Sequence, residues 1–191
     1  MIGKMYITIM PVILAGILNM CFVKTSWYQR WNVPIDGGKS GKNGKRLLGE
    51  NKTWAGFLGM IVFAMISQAV WGIVCDKWLH GWNYIYDYHN NELFQNLLYG
   101  ALFGLAYVLF ELPNSFLKRR LDIPAGKTVT GKKGVLFFII DQTDSLFGVG
   151  LVLACLYPMP VWQYWLYIML GAITHIAVNW MLYCFKIRKN L

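Results

Sequence analysis

Charge is what this chain has least of. Charged residues fill 14% of its 191 positions and only nine of them are acidic, against about 25% in ordinary soluble domains. So few charges cannot cover a water-facing surface, which excludes a soluble globule. Cysteine is scarce too. Cys21, Cys75, Cys155 and Cys184 lie within or at the ends of apolar segments and form no C-x-x-C pair, so neither a disulfide framework nor a zinc site is indicated. They read as small apolar packing residues. No internal repeat, low-complexity tract or linker interrupts the chain, and it reads as a single domain over residues 1–191. The net charge of +9 comes with no helix-turn-helix or zinc-finger spacing, so nucleic acid is not the expected partner.

What is present in quantity is apolar and aromatic. Hydrophobic residues reach 57%, with nine Trp and eleven Tyr among them, rings favoured where hydrocarbon meets water. Five apolar runs, 5–23, 54–75, 93–112, 135–156 and 162–185, each approach the roughly 20 residues a helix needs to cross ~30 Å of hydrocarbon. The first is too long for a typical signal-peptide core, lacks a small-x-small cleavage site and is followed rather than led by basic residues, so it reads as a retained span. The expected fold is an all-α integral membrane bundle of about five transmembrane helices.

Lys24, Arg30, Lys39, Lys42, Lys45, Arg46 and Lys52 fall between the first two spans, and Lys118, Arg119, Arg120, Lys127, Lys132 and Lys133 between the third and fourth; Lys186, Arg188 and Lys189 form the tail. Only Lys4 and Lys77 lie on the other side. The positive-inside rule makes the basic side cytoplasmic, with the N-terminus outside, the C-terminus inside and two long cytoplasmic loops able to form a site. On the outer side, Trp78, Trp82, Tyr84, Tyr86 and Tyr88 suit an interfacial belt, and Pro158 and Pro160 enforce a tight turn between the last two spans.

The first cytoplasmic loop alternates Gly37, Gly38, Gly41, Gly44 and Gly49 with Lys39, Lys42, Lys45 and Arg46. Glycines let backbone N–H groups approach an anion while Lys and Arg supply charge, which suits a polyphosphate; anionic lipid headgroups are the alternative ligand. This is not a Walker A loop. Lys52, Thr53 and Trp54 stand at the mouth of the second span, where N–H groups and the helix dipole favour phosphate.

The second loop offers Glu111, Ser115, Lys118, Arg119 and Arg120, and then Asp141 and Asp144. Two acids three positions apart share a helix face, here about 9 Å along the fourth span. Facing lipid they would be costly, and their mutual repulsion asks for a cation between them. A shared Mg²⁺ answers that need, with Glu111 as a further candidate ligand. Pairing with nearby Lys or Arg, neutralisation by protonation, or a proton relay in a transporter are the competing readings. His175 and Asn179 share a face of the fifth span and are minor pocket candidates; His80 and His89 carry no signal.

The stretch Pro34-Ile-Asp36-Gly-Gly-Lys39, followed by Arg46-Leu-Leu-Gly49-Glu-Asn-Lys52-Thr53-Trp54-Ala-Gly56-Phe57, resembles the first cytoplasmic loop of CDP-archaeol synthases. Ser115-Phe-Leu-Lys118-Arg119-Arg120, followed by Asp141-Gln-Thr-Asp144-Ser-Leu, resembles the signature shared by those enzymes and phosphatidate cytidylyltransferases. Phe110 and Glu111 stand where the family has Gly-Asp, and Phe138-Ile-Ile where the phosphatidate enzymes have His-Gly-Gly, so the chain is more similar to the archaeol-type branch.

The resemblance implies a CTP-dependent cytidylyltransferase of phospholipid biosynthesis that turns a lipid phosphate into a CDP-lipid and releases pyrophosphate. On that reading Asp141, Asp144, Lys118, Arg119 and Ser115 are catalytic, Asp36, Lys39, Arg46, Lys52, Thr53 and Arg120 bind substrate, and Mg²⁺ is held by Asp141 and Asp144 with Glu111. The implied partners are CTP and an inner-leaflet lipid phosphate, and a homodimer is compatible with this. The expected location is the plasma membrane, multi-pass, with the site facing the cytoplasm. The rival class is a membrane transporter of a phosphorylated metabolite.

Overall fold

A hydrocarbon solvent forces every backbone polar group to be satisfied within its own segment, so apolar runs of this length become helices. The computed structural model describes residues 1–41, 44–125 and 131–185, without the side chain of Lys132. Within them α1 (Ile2–Phe22), α3 (Trp54–Trp78), α4 (Leu93–Arg120), α5 (Gly131–Leu156) and α6 (Val161–Cys184) are long, and five segments are apolar enough to cross a membrane. The short α2 (Ser26–Arg30) and a 3-10 turn at Ile85–Asp87 sit in the connections. Among the described residues there is no strand, only isolated bridges pairing Pro34 with Thr53 and Ser40 with Arg46. Of the basic residues on the expected cytoplasmic side, Lys42, Lys127, Lys186, Arg188 and Lys189 lie outside the described residues.

At most a third of each span is buried inside the protein. What faces outward is also apolar: Leu58, Val62, Ile66, Val70 and Ile73 form an exposed stripe along α3, and Trp165, Met169, Ile173 and Trp180 another along α6. An apolar outside around an apolar inside is the pattern of a bundle solvated by lipid.

Small residues set the helix contacts, as expected where packing rather than hydrophobic exclusion holds helices together. A Cβ on Gly100 would sit 2.5 Å from the Ala64 carbonyl oxygen, and one on Gly104 2.6 Å from Ile61 Cα, so these two glycines, four apart, fit α4 tightly to α3. A Cβ on Gly148 would sit 2.6 Å from Phe110 Cδ2 and 2.7 Å from the Ala106 carbonyl oxygen, which fits antiparallel α5 to α4. Met5, Met60, Phe103 and Leu153 fill the centre. By contrast α1 and α6 touch sparsely.

Three local features differ from the expectations. The third span does not stop at 112: α4 runs through Pro113 to Arg120, so the segment expected as loop is two more turns of helix. Proline deletes one backbone donor there, and the turns beyond it persist because they pack on α5 and the first loop. The fourth helix starts at Gly131 rather than 135. On the outer side, Trp78, Trp82 and Tyr88 are exposed, whereas Tyr84 stacks on Tyr157 at 5.3 Å and Tyr86 donates to Asn96 Oδ1 at 2.6 Å. Only part of the aromatic belt therefore faces outward.

Candidate active site at the basic end of the bundle

The first loop is built around one carboxylate. Asp36 is buried, and its Oδ1 accepts from Gly38 N and Arg46 Nη2, both at 3.0 Å, while its Oδ2 accepts from Leu48 N at 3.1 Å and Gly49 N at 3.3 Å. Burial alone would raise the Asp36 pKa, but the Arg46 guanidinium and the three N–H groups outweigh it and hold the carboxyl below its ordinary value of 3.8. The amides expected to cradle an external anion thus meet the loop's own aspartate. Gly49 has a φ of 116°, which favours glycine, and lies against the Arg119 side chain.

The end of α4 clamps this loop. Arg119 Nε donates to Leu48 O at 3.2 Å, and its Nη1 to Ile123 O; Arg120 Nη2 donates to Lys45 O at 3.0 Å and Arg46 O at 2.6 Å. Thr53 is buried as the N-cap of α3, accepting from Gly56 N at 3.1 Å and paired with the Tyr28 hydroxyl at 2.7 Å.

Behind the loop is a cavity of about 820 Å³, within the range of small-molecule sites. Its polar end carries Lys52, Glu111, Ser115, Lys118, Arg119, Asp141 and Asp144; its apolar depth is lined by Ile9, Val12 and Ile13 of α1 and Val149 and Leu153 of α5. His175 and Asn179 line it as well, Asn179 Nδ2 donating to Gln142 Oε1 at 3.0 Å. Asp36, Lys39, Arg46, Thr53 and Arg120 do not line it. The structure therefore divides the candidate residues in two: one set faces the cavity, and in the other Asp36, Arg46, Thr53 and Arg120 hold the walls while Lys39 is exposed.

The charges at the polar end are interlocked. Lys118 Nζ lies 2.5 Å from both oxygens of Asp141, and Lys52 is ion-paired with Glu111. Burial would lower the Lys52 pKa, but Glu111, with Asp144 and Asp141 behind it, more than compensates, and the ammonium titrates above its ordinary value. A neutral side chain unremarked in the sequence joins the acids: Asn114 Nδ2 donates at 2.7 Å to Asp141 Oδ1 and at 2.7 Å to Asp144 Oδ2. The two carboxylates consequently converge on one point. Their hard oxygen donors, open to a cavity with room for phosphate, fit Mg²⁺, an ion held by one or two carboxylates plus substrate oxygens. Among the described residues no three His, Cys, Asp or Glu side chains form a complete cage. Asn51 and Lys24 also line the cavity; only their place in the fold reveals them.

Comparison with known proteins identifies the family and the fold. The family model for CarS-like CDP-archaeol synthase matches residues 6–190. The CDP-archaeol synthase of Archaeoglobus fulgidus is 30% identical over 165 residues, covering 82% of each chain. That of Saccharolobus solfataricus is 29% identical over 157 residues, covering 82% of this chain and 80% of its own. A solved structure described as an intramembrane enzyme for archaeal membrane lipid biosynthesis shares the fold, with a TM-score of 0.64, 20% identity and 91% coverage of both chains. With a family model matched over nearly its whole length and a relative 30% identical over 82% of it, this chain belongs to the CDP-archaeol synthase family.

Proposed function

We propose that the protein is a CTP-dependent cytidylyltransferase that makes a CDP-lipid from a lipid phosphate, with the relatives' name pointing to an archaeol-type lipid. An oxygen of the lipid phosphate attacks the α-phosphorus of CTP. A P–O bond forms there, the bond from that phosphorus to the α–β bridging oxygen breaks, and pyrophosphate leaves. The lipid phosphate is already an anionic nucleophile, so no protein base is required, and the work left to the side chains is positioning and charge neutralisation.

The observation that carries this reading is a single cavity with a cationic and carboxylate end and an apolar depth. Lys118 and Lys52, each resting on an acid, are cations ready to transfer to phosphate oxygens, and Ser115 adds a hydroxyl donor. Arg119 ties the cavity rim to the first loop. Asp36 and Arg46 brace that loop from within, Thr53 caps α3 at its end, Arg120 holds it to α4, and Lys39 adds positive charge at the exposed surface. Asp141 and Asp144 would hold Mg²⁺, which when bound neutralises triphosphate charge that otherwise repels the incoming phosphate. The basic end of the bundle faces the cytoplasm, where CTP is found.

Purified protein given labelled CTP, Mg²⁺ and a panel of lipid phosphates should release pyrophosphate and form a CDP-lipid. Asp144→Asn should cut turnover at least about 10²-fold, the scale on which a single transition-state contact is lost. Equal turnover by wild type and Asp144→Asn, or none with any lipid, overturns the reading.

A further inference from the structure

We propose that Asn114 is a third ligand of the cation held by Asp141 and Asp144, its amide oxygen replacing its amide nitrogen when the ion binds. This rests on the reading of the acid pair as a divalent site. Asn114 is 91% buried, since 9% of it is exposed, and its Nδ2 is held 2.7 Å from an oxygen of each aspartate. The opposite end of the same amide, Oδ1, is buried and has no hydrogen-bond partner. An unpaired buried carbonyl is costly unless another state uses it, and this one belongs to the amide that meets both carboxylates.

The geometry suits that second state. Oxygens that are adjacent ligands of Mg²⁺ in an octahedron, each at about 2.1 Å from the ion, lie about 3 Å apart. The 2.7 Å spacings from the amide to Asp141 and Asp144 are close to that edge. A half-turn of the amide about its last bond exchanges oxygen for nitrogen with little change of shape. Nothing grips the far side of the amide, so the turn gives up only its two contacts to the carboxylates, and those contacts are what the cation replaces. Without the ion, the Asn114 N–H₂ dipole and the Lys118 ammonium satisfy the acids; with it, the metal takes over that part.

Glu111, the other acid near this end, is occupied by Lys52, and no third acid completes a cage among the described residues. Asn114 sits on α4 and the aspartates on α5, so a three-oxygen site would tie the two helices together.

The probe is Mn²⁺ alone, with binding to purified full-length protein in detergent followed by loss of the free-ion paramagnetic resonance signal. Wild type should bind and Asp144→Asn should not. Asn114→Ala should bind at least about tenfold more weakly, because even supporting residues around metal ligands cost that much. Asn114→Asp should restore binding by supplying an oxygen. Unfolding midpoints with and without Mn²⁺ separate ligation from folding: Asn114→Asp should be less stable than wild type without the ion and gain more from it.

Wild-type affinity in Asn114→Ala, alongside loss in Asp144→Asn, removes Asn114 from the site but leaves the acid pair standing. Failure of Asn114→Asp to restore binding also overturns its role as a ligand. No binding by wild type, or equal binding by Asp144→Asn, overturns the divalent site itself.

Discussion

Asp36 has more backbone partners than any other acid in the site region, and its chemistry differs from that of Asp141 and Asp144. Its side chain is 1% exposed and its partners are N–H groups and Arg46, so an amide in its place leaves buried N–H groups short of an acceptor while Arg46 keeps Glu50. Asp36→Asn should cost about 1–3 kcal/mol, the scale on which a buried donor is left without its acceptor, and open the first loop to protease. The pH dependence follows from the lowered pKa. The carboxylate's contribution is fully present above its ordinary value of 3.8 and fades as the pH falls below that, toward the folded value. Acid titration of stability in detergent should therefore steepen below pH ~4 in wild type and be flatter in Asp36→Asn. The sequence singled out Asp141 and Asp144 because acids in an apolar run are conspicuous, and Lys118 through the motif that resembles the family's. Asn114 was not legible in the same way, because a neutral amide between a proline and a serine carries no signal until it is found between two carboxylates.

At the scale of elements, the contact between α4 and α5 decides whether the acids meet their partners. Gly148 lies one turn from Asp144 and two from Asp141, on the face that packs against Ala106 and Phe110. Gly148→Ala should force the helices apart, lower stability by about 1–3 kcal/mol and reduce turnover by about 10²-fold through misplacement of the reacting groups. Gly16→Ala, where a Cβ meets nothing within 4 Å, is the stability control and should not lower the unfolding midpoint. Helix positions were legible from apolar run length, since a bilayer imposes a minimum span. The extension of α4 through Pro113 was not: proline and polar residues read locally as an ending, while packing against α5 and clamping of the first loop by Arg119 and Arg120 sustain the helix.

For the molecule as a whole, charge asymmetry made one end stand out and the cavity supplies the reason to have it. The cavity itself could not be read from the chain, because its apolar wall comes from ordinary Ile, Val and Leu whose direction depends on helix rotation. Gly16 lines that wall and faces open space. Gly16→Leu should fill part of it, raising the KM for lipid phosphate about tenfold, as about 1–3 kcal/mol of overpacking implies, while leaving the KM for CTP unchanged. Steady-state kinetics with each substrate varied in turn measures both.

α1 and α6 meet sparsely and both line the cavity. In the proposed reaction that seam is where the greasy reactant would enter sideways from its leaflet, while the water-borne one would enter from the basic end.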